Sequence, residues 1–175
     1  MEFVTGESLE QIILKRNIIR QREAISIFKQ LCAALDYIHT FEGGYIYLDL
    51  KPANIFYDSG RIRLIDLDTV ISIEKANRSD GPRALHGTKG FAAPEQYSGN
   101  YPIDIRADIY SLGVTMYCLI TGKDPANILP GAFDIRKGNI FRNRKLAEII
   151  LKCTRVNPEG RYKDTKELLY ELEGL

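Results

Sequence analysis

One helix constrains this chain more than any other feature. Asp104 to Thr121 reads Asp-Ile-Arg-Ala-Asp-Ile-Tyr-Ser-Leu-Gly-Val-Thr-Met-Tyr-Cys-Leu-Ile-Thr, apolar nearly all round. A surface helix carries one apolar stripe and one wet face; this one has no face left for water, so it is expected to lie buried at the centre. Gly122 ends it. Its most apolar run, Leu112 to Ile120, is too short to cross a bilayer and is bounded by polar residues. The length of 175 residues suits one domain with a real core.

Other elements read as helices around that centre. Ser8-Leu-Glu-Gln11 is a capping box, predicting a short helix to about Arg16. Ile25, Phe28, Leu31, Cys32, Leu35 and Ile38 recur at helical spacing, and Gly43-Gly44 break that helix before Tyr45-Ile-Tyr47. Asn143 to Cys153 is amphipathic through Leu146, Ile149 and Ile150, and Asp164-Thr-Lys-Glu167 caps a last helix carrying Leu168, Leu169 and Leu172. Asn54–Asp58 and Arg61–Asp66 are predicted strands joined by a Ser59-Gly60 turn. Residues 67–90 show no periodicity, and Ser79-Asp-Gly-Pro82 is a loop signature, so this stretch is expected to be mobile. Residues 122–142 are punctuated by Gly and Pro and leave room only for short helices. The expected product is mainly α with a small β-hairpin.

The chemistry concentrates in Tyr47-Leu-Asp-Leu-Lys-Pro-Ala-Asn54. Asp49 can accept a proton from a hydroxyl, Lys51 can neutralise charge on a phosphoryl group, and Asn54 can hold a cation through its side-chain oxygen. Such groups suit phosphoryl transfer, which is mostly positioning plus electrostatics. The hairpin carries Asp66 back toward Asp49 and Asn54, so Asn54 and Asp66 could share a hard cation such as Mg²⁺. Further along stand Gly87-Thr-Lys-Gly-Phe-Ala-Ala-Pro-Glu95, Asp108-Ile-Tyr-Ser-Leu-Gly113 and Asn157-Pro-Glu-Gly-Arg-Tyr162. Four motifs in one order say more than any of them alone.

Together these motifs resemble the C-terminal lobe of a eukaryotic-type Ser/Thr protein kinase, with Ala-Ala-Pro-Glu-Gln-Tyr in bacterial wording. The resemblance covers essentially all 175 residues. It implies a protein-kinase-like α+β fold with the N-terminal lobe absent from this chain. Within it, 1–7 would be a remnant of the hinge, 45–54 the catalytic loop, 66–95 the activation segment and 96–175 a helical subdomain. It further implies transfer of the ATP γ-phosphoryl group to a protein Ser or Thr, with Asp49 as base, Lys51 beside it, and Asn54 and Asp66 as Mg²⁺ ligands. Thr88 would orient Asp49 and Lys51. The backbone of Glu2 and Val4 would meet adenine, and Phe56 would form the floor beneath it. Glu95 and Arg161 would make a buried ion pair, and Asp108 would accept backbone N–H groups of the catalytic loop.

Three departures from the family pattern bear on activity. Leu48 stands where many kinases carry the Arg that pairs with an activation-loop phosphate, so activity is expected not to need phosphorylation of the segment 67–90, with Thr69 and Ser79 as the residues to test. Asp68 replaces the Gly after Asp66-Leu67, an exchange expected to cost backbone freedom. The chain also has no Gly-rich loop and no strand lysine paired with a helix glutamate, so in isolation it is expected to bind nucleotide weakly and turn over negligibly. The alternatives are a non-catalytic kinase-like interaction module and, less favoured by Gly87–Glu95, a small-molecule phosphotransferase.

Composition narrows the partners. Net charge is +1, which gives no electrostatic case for nucleic acid or a membrane surface. The start lacks a signal peptide's basic and apolar regions, and a cytoplasmic chain, or the cytoplasmic part of a larger one, is expected. Cys32, Cys118 and Cys153 lie in apolar helical patterns and read as buried free thiols. His39 and His86 have no carboxylate or Cys at ligand spacing and read as structural; Arg136, Lys137, Arg142, Arg144 and Lys145 read as a solvated face.

Overall fold

The computed structural model describes residues 6–77, 87–98, 101–133, 135 and 143–175. Strand β1 (Glu7–Ser8) runs straight into α1 (Leu9–Arg16). The capping box forms in full: Gln11 N–H donates to Ser8 Oγ at 3.2 Å, and Ser8 N–H donates to Gln11 Oε1 at 2.9 Å. The long α2 (Gln21–Thr40) follows, then β2 (Tyr45–Ile46). Its buried face is Ala24, Ile27, Phe28, Leu31, Cys32, Leu35 and His39, whereas Ile25 and Ile38 flank that face half-buried.

The predicted hairpin is present as β3 (Ile55–Asp58) and β4 (Arg61–Leu64), with Asp58 opposite Arg61 and Ile55 opposite Leu64. Ser59 and Gly60 both take positive φ, 48° and 86°, the backbone of a primed two-residue turn whose twist matches its strands. β1 adds a third antiparallel strand, pairing Ser8 with Phe56. The stretch after Asp66 is more ordered than its sequence pattern suggests. β5 (Ile71–Ser72) pairs antiparallel with β2, and the short α3 (Ile73–Asn77) follows. Non-local pairing supplied that order, and periodicity along one chain cannot report it.

After α4 (Glu95–Ser98) comes α5 (Arg106–Thr121), the helix expected at the centre. Every residue from Ala107 to Ile120 is buried. Further along come α6 (Arg144–Cys153) and α7 (Thr165–Glu173). α5 packs against α2 and α6, and α7 lies on α2. Gly113 permits the close approach of α5 to α6, since a Cβ there would meet Cys153 Cβ at 2.5 Å. The fold is therefore mainly helical with small antiparallel sheets. All three cysteines are free and buried, and burial pushes the Cys32 and Cys118 thiols up to about 12, with Asp36 and Asp124 respectively adding to it.

Candidate active site

Residues 47–50 lie between β2 and the turn at Pro52, in neither helix nor strand. Tyr47, Leu48, Asp49 and Leu50 are all buried, so their backbone groups must find partners without water. Side chains from distant elements supply them. Asp108, on α5, accepts from Tyr47 N–H at 2.8 Å and from Leu48 N–H at 2.7 Å. Four carbonyls are met in turn: Tyr47 by the Thr69 hydroxyl at 3.0 Å, Leu48 by Gln96 Nε2 at 3.1 Å, Asp49 by Asn54 Nδ2 at 3.0 Å and Leu50 by the Thr115 hydroxyl at 3.4 Å. Leu48 holds a left-handed φ of 71°, a conformation costing an L-residue about 1–3 kcal/mol that persists only where the surroundings over-determine it.

This frame aims Asp49. Its Oδ1 accepts from Thr88 Oγ1 at 2.7 Å and from Thr88 N–H at 3.1 Å. Its Oδ2 accepts from Lys51 Nζ at 2.7 Å and, more distantly, from Asn54 Nδ2 at 3.3 Å. Lys51 also donates to Thr88 Oγ1 at 2.7 Å, closing a triangle of Asp49, Lys51 and Thr88. Burial pushes the Asp49 carboxyl up, but the Lys51 and Thr88 hydrogen bonds and the Lys51 charge outweigh it, holding the group below the ordinary carboxylate value.

Asp66 arrives from the other side of the hairpin. Ile65 N–H donates to the Asn54 carbonyl at 3.0 Å, which sets residue 66 beside Asn54. The Tyr47 phenol, bonded to the Ile65 carbonyl, is pushed up first by burial and then by the charges of Asp66, Asp49 and Asp108. One ring thus senses both acids. Asn54 spends Nδ2 on Asp49, and its Oδ1 accepts no hydrogen bond among the described residues. Among the described residues Asp66 accepts only from Asp68 N–H, at 3.4 Å through Oδ1. An unspent amide oxygen and an unspent carboxylate oxygen are the kind of hard oxygen donors that Mg²⁺ takes.

Asp68 does not take the left-handed backbone expected of the glycine it replaces. The residue with positive φ is Asp66 itself, at 62°, so the exchange at 68 carries no left-handed strain. Phe56 is half-buried and absent from the side chains packed on the core, whereas its neighbours Ile55 and Tyr57 join that core. Alternation along β3 therefore turns Phe56 to the opposite sheet face. Glu2 and Val4, with Ser79, His86, Arg136, Lys137 and Arg142, lie outside the described residues.

Glu95 and Arg161 meet in a buried bidentate pair, Nη1–Oε1 2.6 Å and Nη2–Oε2 2.8 Å. The remaining guanidinium donors reach the carbonyls of Arg155, Arg106 and Val156, so all five N–H groups are used. His39 does have a carboxylate partner: its Nε2 lies 2.8 Å from Asp108 Oδ2. Asp108 stands 69 residues away in sequence, beyond the reach of any spacing rule. Leu48 is buried in the core, with no cation in its place.

Sequence reasoning missed Thr69, Gln96 and Thr115 as holders of the loop. The available signal was chemical. Thr115 is a hydroxyl inside an apolar helix, where a polar atom needs a partner, and Thr69 was considered only as a phosphorylation site.

The chain belongs to the protein kinase family, whose domain model, described as "Protein kinase domain", matches residues 1–171. Its relatives include bacterial serine/threonine kinases. The serine/threonine-protein kinase PknB of Mycobacterium leprae is 29% identical over 98% of this chain, and PknB of Mycolicibacterium smegmatis is likewise 29% identical over 98%. A protein of Clostridium perfringens named as a probable serine/threonine-protein kinase is 30% identical over 99% of the chain. This chain spans 29%, 29% and 26% of those three proteins' lengths. Among the described residues no helix is long and apolar enough to cross a membrane.

Proposed function

We propose that this chain is the C-terminal lobe of a Ser/Thr protein kinase that moves the ATP γ-phosphoryl group to a protein Ser or Thr hydroxyl. The observation that carries this reading is the closed triangle of Asp49, Lys51 and Thr88. On this reading residues 1–7 belong to the hinge, 45–54 to the catalytic loop, 66–95 to the activation segment and 96–175 to the helical subdomain.

Asp49 stays ionised and accepts the proton of the acceptor hydroxyl. Four donors already surround its two oxygens, and the long 3.3 Å contact from Asn54 is the one the hydroxyl displaces, because Asn54 keeps its 3.0 Å bond to the Asp49 carbonyl. Lys51 has three N–H groups and spends two of them on Asp49 and Thr88, leaving the third for a phosphate oxygen. Thr88 holds both in register, and as a threonine goes with Ser/Thr acceptors. Asn54 and Asp66 would hold Mg²⁺, which supplies charge neutralisation at the phosphates. The backbone of Glu2 and Val4 would bind the adenine edge and Phe56 would lie under the ring. The acceptor is a protein segment, because Gly87–Glu95 builds a platform for a peptide.

The unstrained backbone at Asp68 favours the enzyme over a non-catalytic module. The parts that cover and clamp the phosphates in this family are not among the 175 residues, so these residues alone bind nucleotide weakly and turn over negligibly. Phosphorylation of a generic substrate by the isolated chain would overturn that. In the protein with both lobes, Asp49→Asn removes the base without changing shape. The expected loss in kcat is about 10²–10⁴-fold, measured by γ-phosphoryl transfer to a Ser/Thr peptide. Unchanged turnover would end the reading.

A further inference from the structure

Gln96 follows the Ala93-Pro94-Glu95 turn and is fully buried, yet nothing in the catalytic reading uses it. Its amide does two things at once. Oε1 accepts from Ala93 N–H at 2.8 Å, and Nε2 donates to the Leu48 carbonyl at 3.1 Å. The first bond fixes the start of α4. The second crosses 48 positions of sequence to the peptide plane immediately before Asp49.

That plane is the sensitive one. It carries the Leu48 carbonyl at one end and the Asp49 N–H at the other, and the latter donates to the Tyr47 carbonyl at 3.1 Å. Leu48, at φ 71°, also donates its own N–H to Asp108 Oδ1 at 2.7 Å. The left-handed residue is therefore clamped on both polar groups, by Asp108 from α5 and by Gln96 from α4. Releasing the Gln96 clamp frees the Leu48–Asp49 plane to rotate, and Asp49 Cα turns with it. Displacements of about 1 Å at a reacting group can cost about 10²-fold in rate.

We propose that Gln96 is a positioning residue that couples the end of the activation segment to the aim of Asp49. Glu95, its neighbour, ties the same turn to Arg161 and the helical body, so consecutive side chains anchor the turn outward and inward. Placement of residues 93–96 is thus read directly at the base. The inference rests on the kinase reading above and adds a coupling to it.

The test uses the protein with both lobes and three variants. Asp49→Asn must lower kcat by about 10²–10⁴-fold; unchanged turnover brings down the kinase reading and this proposal with it. Gln96→Met keeps side-chain length but loses both hydrogen bonds. Gln96→Glu keeps an acceptor for Ala93 N–H and, when ionised, sets a carboxylate oxygen against the Leu48 carbonyl in place of the N–H donor. If the Leu48 bond positions the base, both Gln96 variants lower kcat by about tenfold or more, with KM for ATP within about twofold. Kcat at the wild-type level in either folded variant overturns the proposal, as does wild-type kcat in Gln96→Glu alone, which would assign the residue to the Ala93 turn. A variant that fails to fold below the assay temperature assigns Gln96 to stability and likewise overturns it.

Discussion

The loop at 47–50 and the segment at 66–69 face one another across the site, and they are built in opposite ways. The loop has every carbonyl met by a side chain and its first two N–H groups, of Tyr47 and Leu48, met by Asp108. In the facing segment Asp66, Leu67 and Asp68 are exposed, Leu67 to 62%, and among the described residues Asp66 accepts one 3.4 Å bond. The difference separates two tasks. Asp49, the proposed base, is aimed by the folded helical body and needs no ligand to hold it. The carboxylate proposed for the metal keeps its oxygens uncommitted, as a group that must bind a cation should.

The sharpest way to break this contrast is Asp108→Ala. It strips two buried N–H groups and His39 of their shared acceptor, and unfolding by denaturant should show a loss of about 3–5 kcal/mol, since each orphaned buried donor costs about 1–3 kcal/mol. A loss under about 1 kcal/mol would mean the loop is not held from α5.

Acid should weaken the hold on the loop through Asp49. The Asp49 carboxyl is held below its ordinary value of 3.8 in the folded state, so its share of stability is present above that value and is lost as pH falls through the lower folded value. Stability of wild type and Asp49→Asn, compared from pH 6 downward, should converge below about pH 4. Parallel curves would mean that Asp49 gains nothing from Lys51 and Thr88.

Two smaller effects test the other side. Asp68→Gly should destabilise by about 0.5–1 kcal/mol, because glycine adds chain entropy to the unfolded state and relieves no left-handed strain here. A gain in stability would show that residue 68 is strained after all. Asp66→Asn should change stability by under about 0.5 kcal/mol, since the residue is exposed and Asn tolerates positive φ. The same variant should weaken Mg²⁺-dependent nucleotide binding in the protein with both lobes.

Much of the fold was legible in the chain. The central helix, the capping box at Ser8, the hairpin turn at Ser59-Gly60 and the amphipathic helix ending at Cys153 all rest on local rules of period, cap and turn. The triad of Asp49, Lys51 and Asn54 was legible because a few consecutive residues carry it. The β2–β5 pair, the rotated face of α2 and the His39–Asp108 contact were not, because each depends on residues meeting across long stretches of chain.

By itself, the sequence determined the five longer helices, which of them must be central, and which residues carry the proposed chemistry, since periodicity and residue type act over short range. Tertiary structure alone decided how that chemistry is held. It put Leu48 in a left-handed turn, brought Thr69, Gln96, Asp108 and Thr115 to one loop, and placed the positive φ at Asp66 rather than Asp68. The reason is physical: a buried irregular backbone must satisfy every polar group, and only the packed fold determines which distant side chain is near enough to do it.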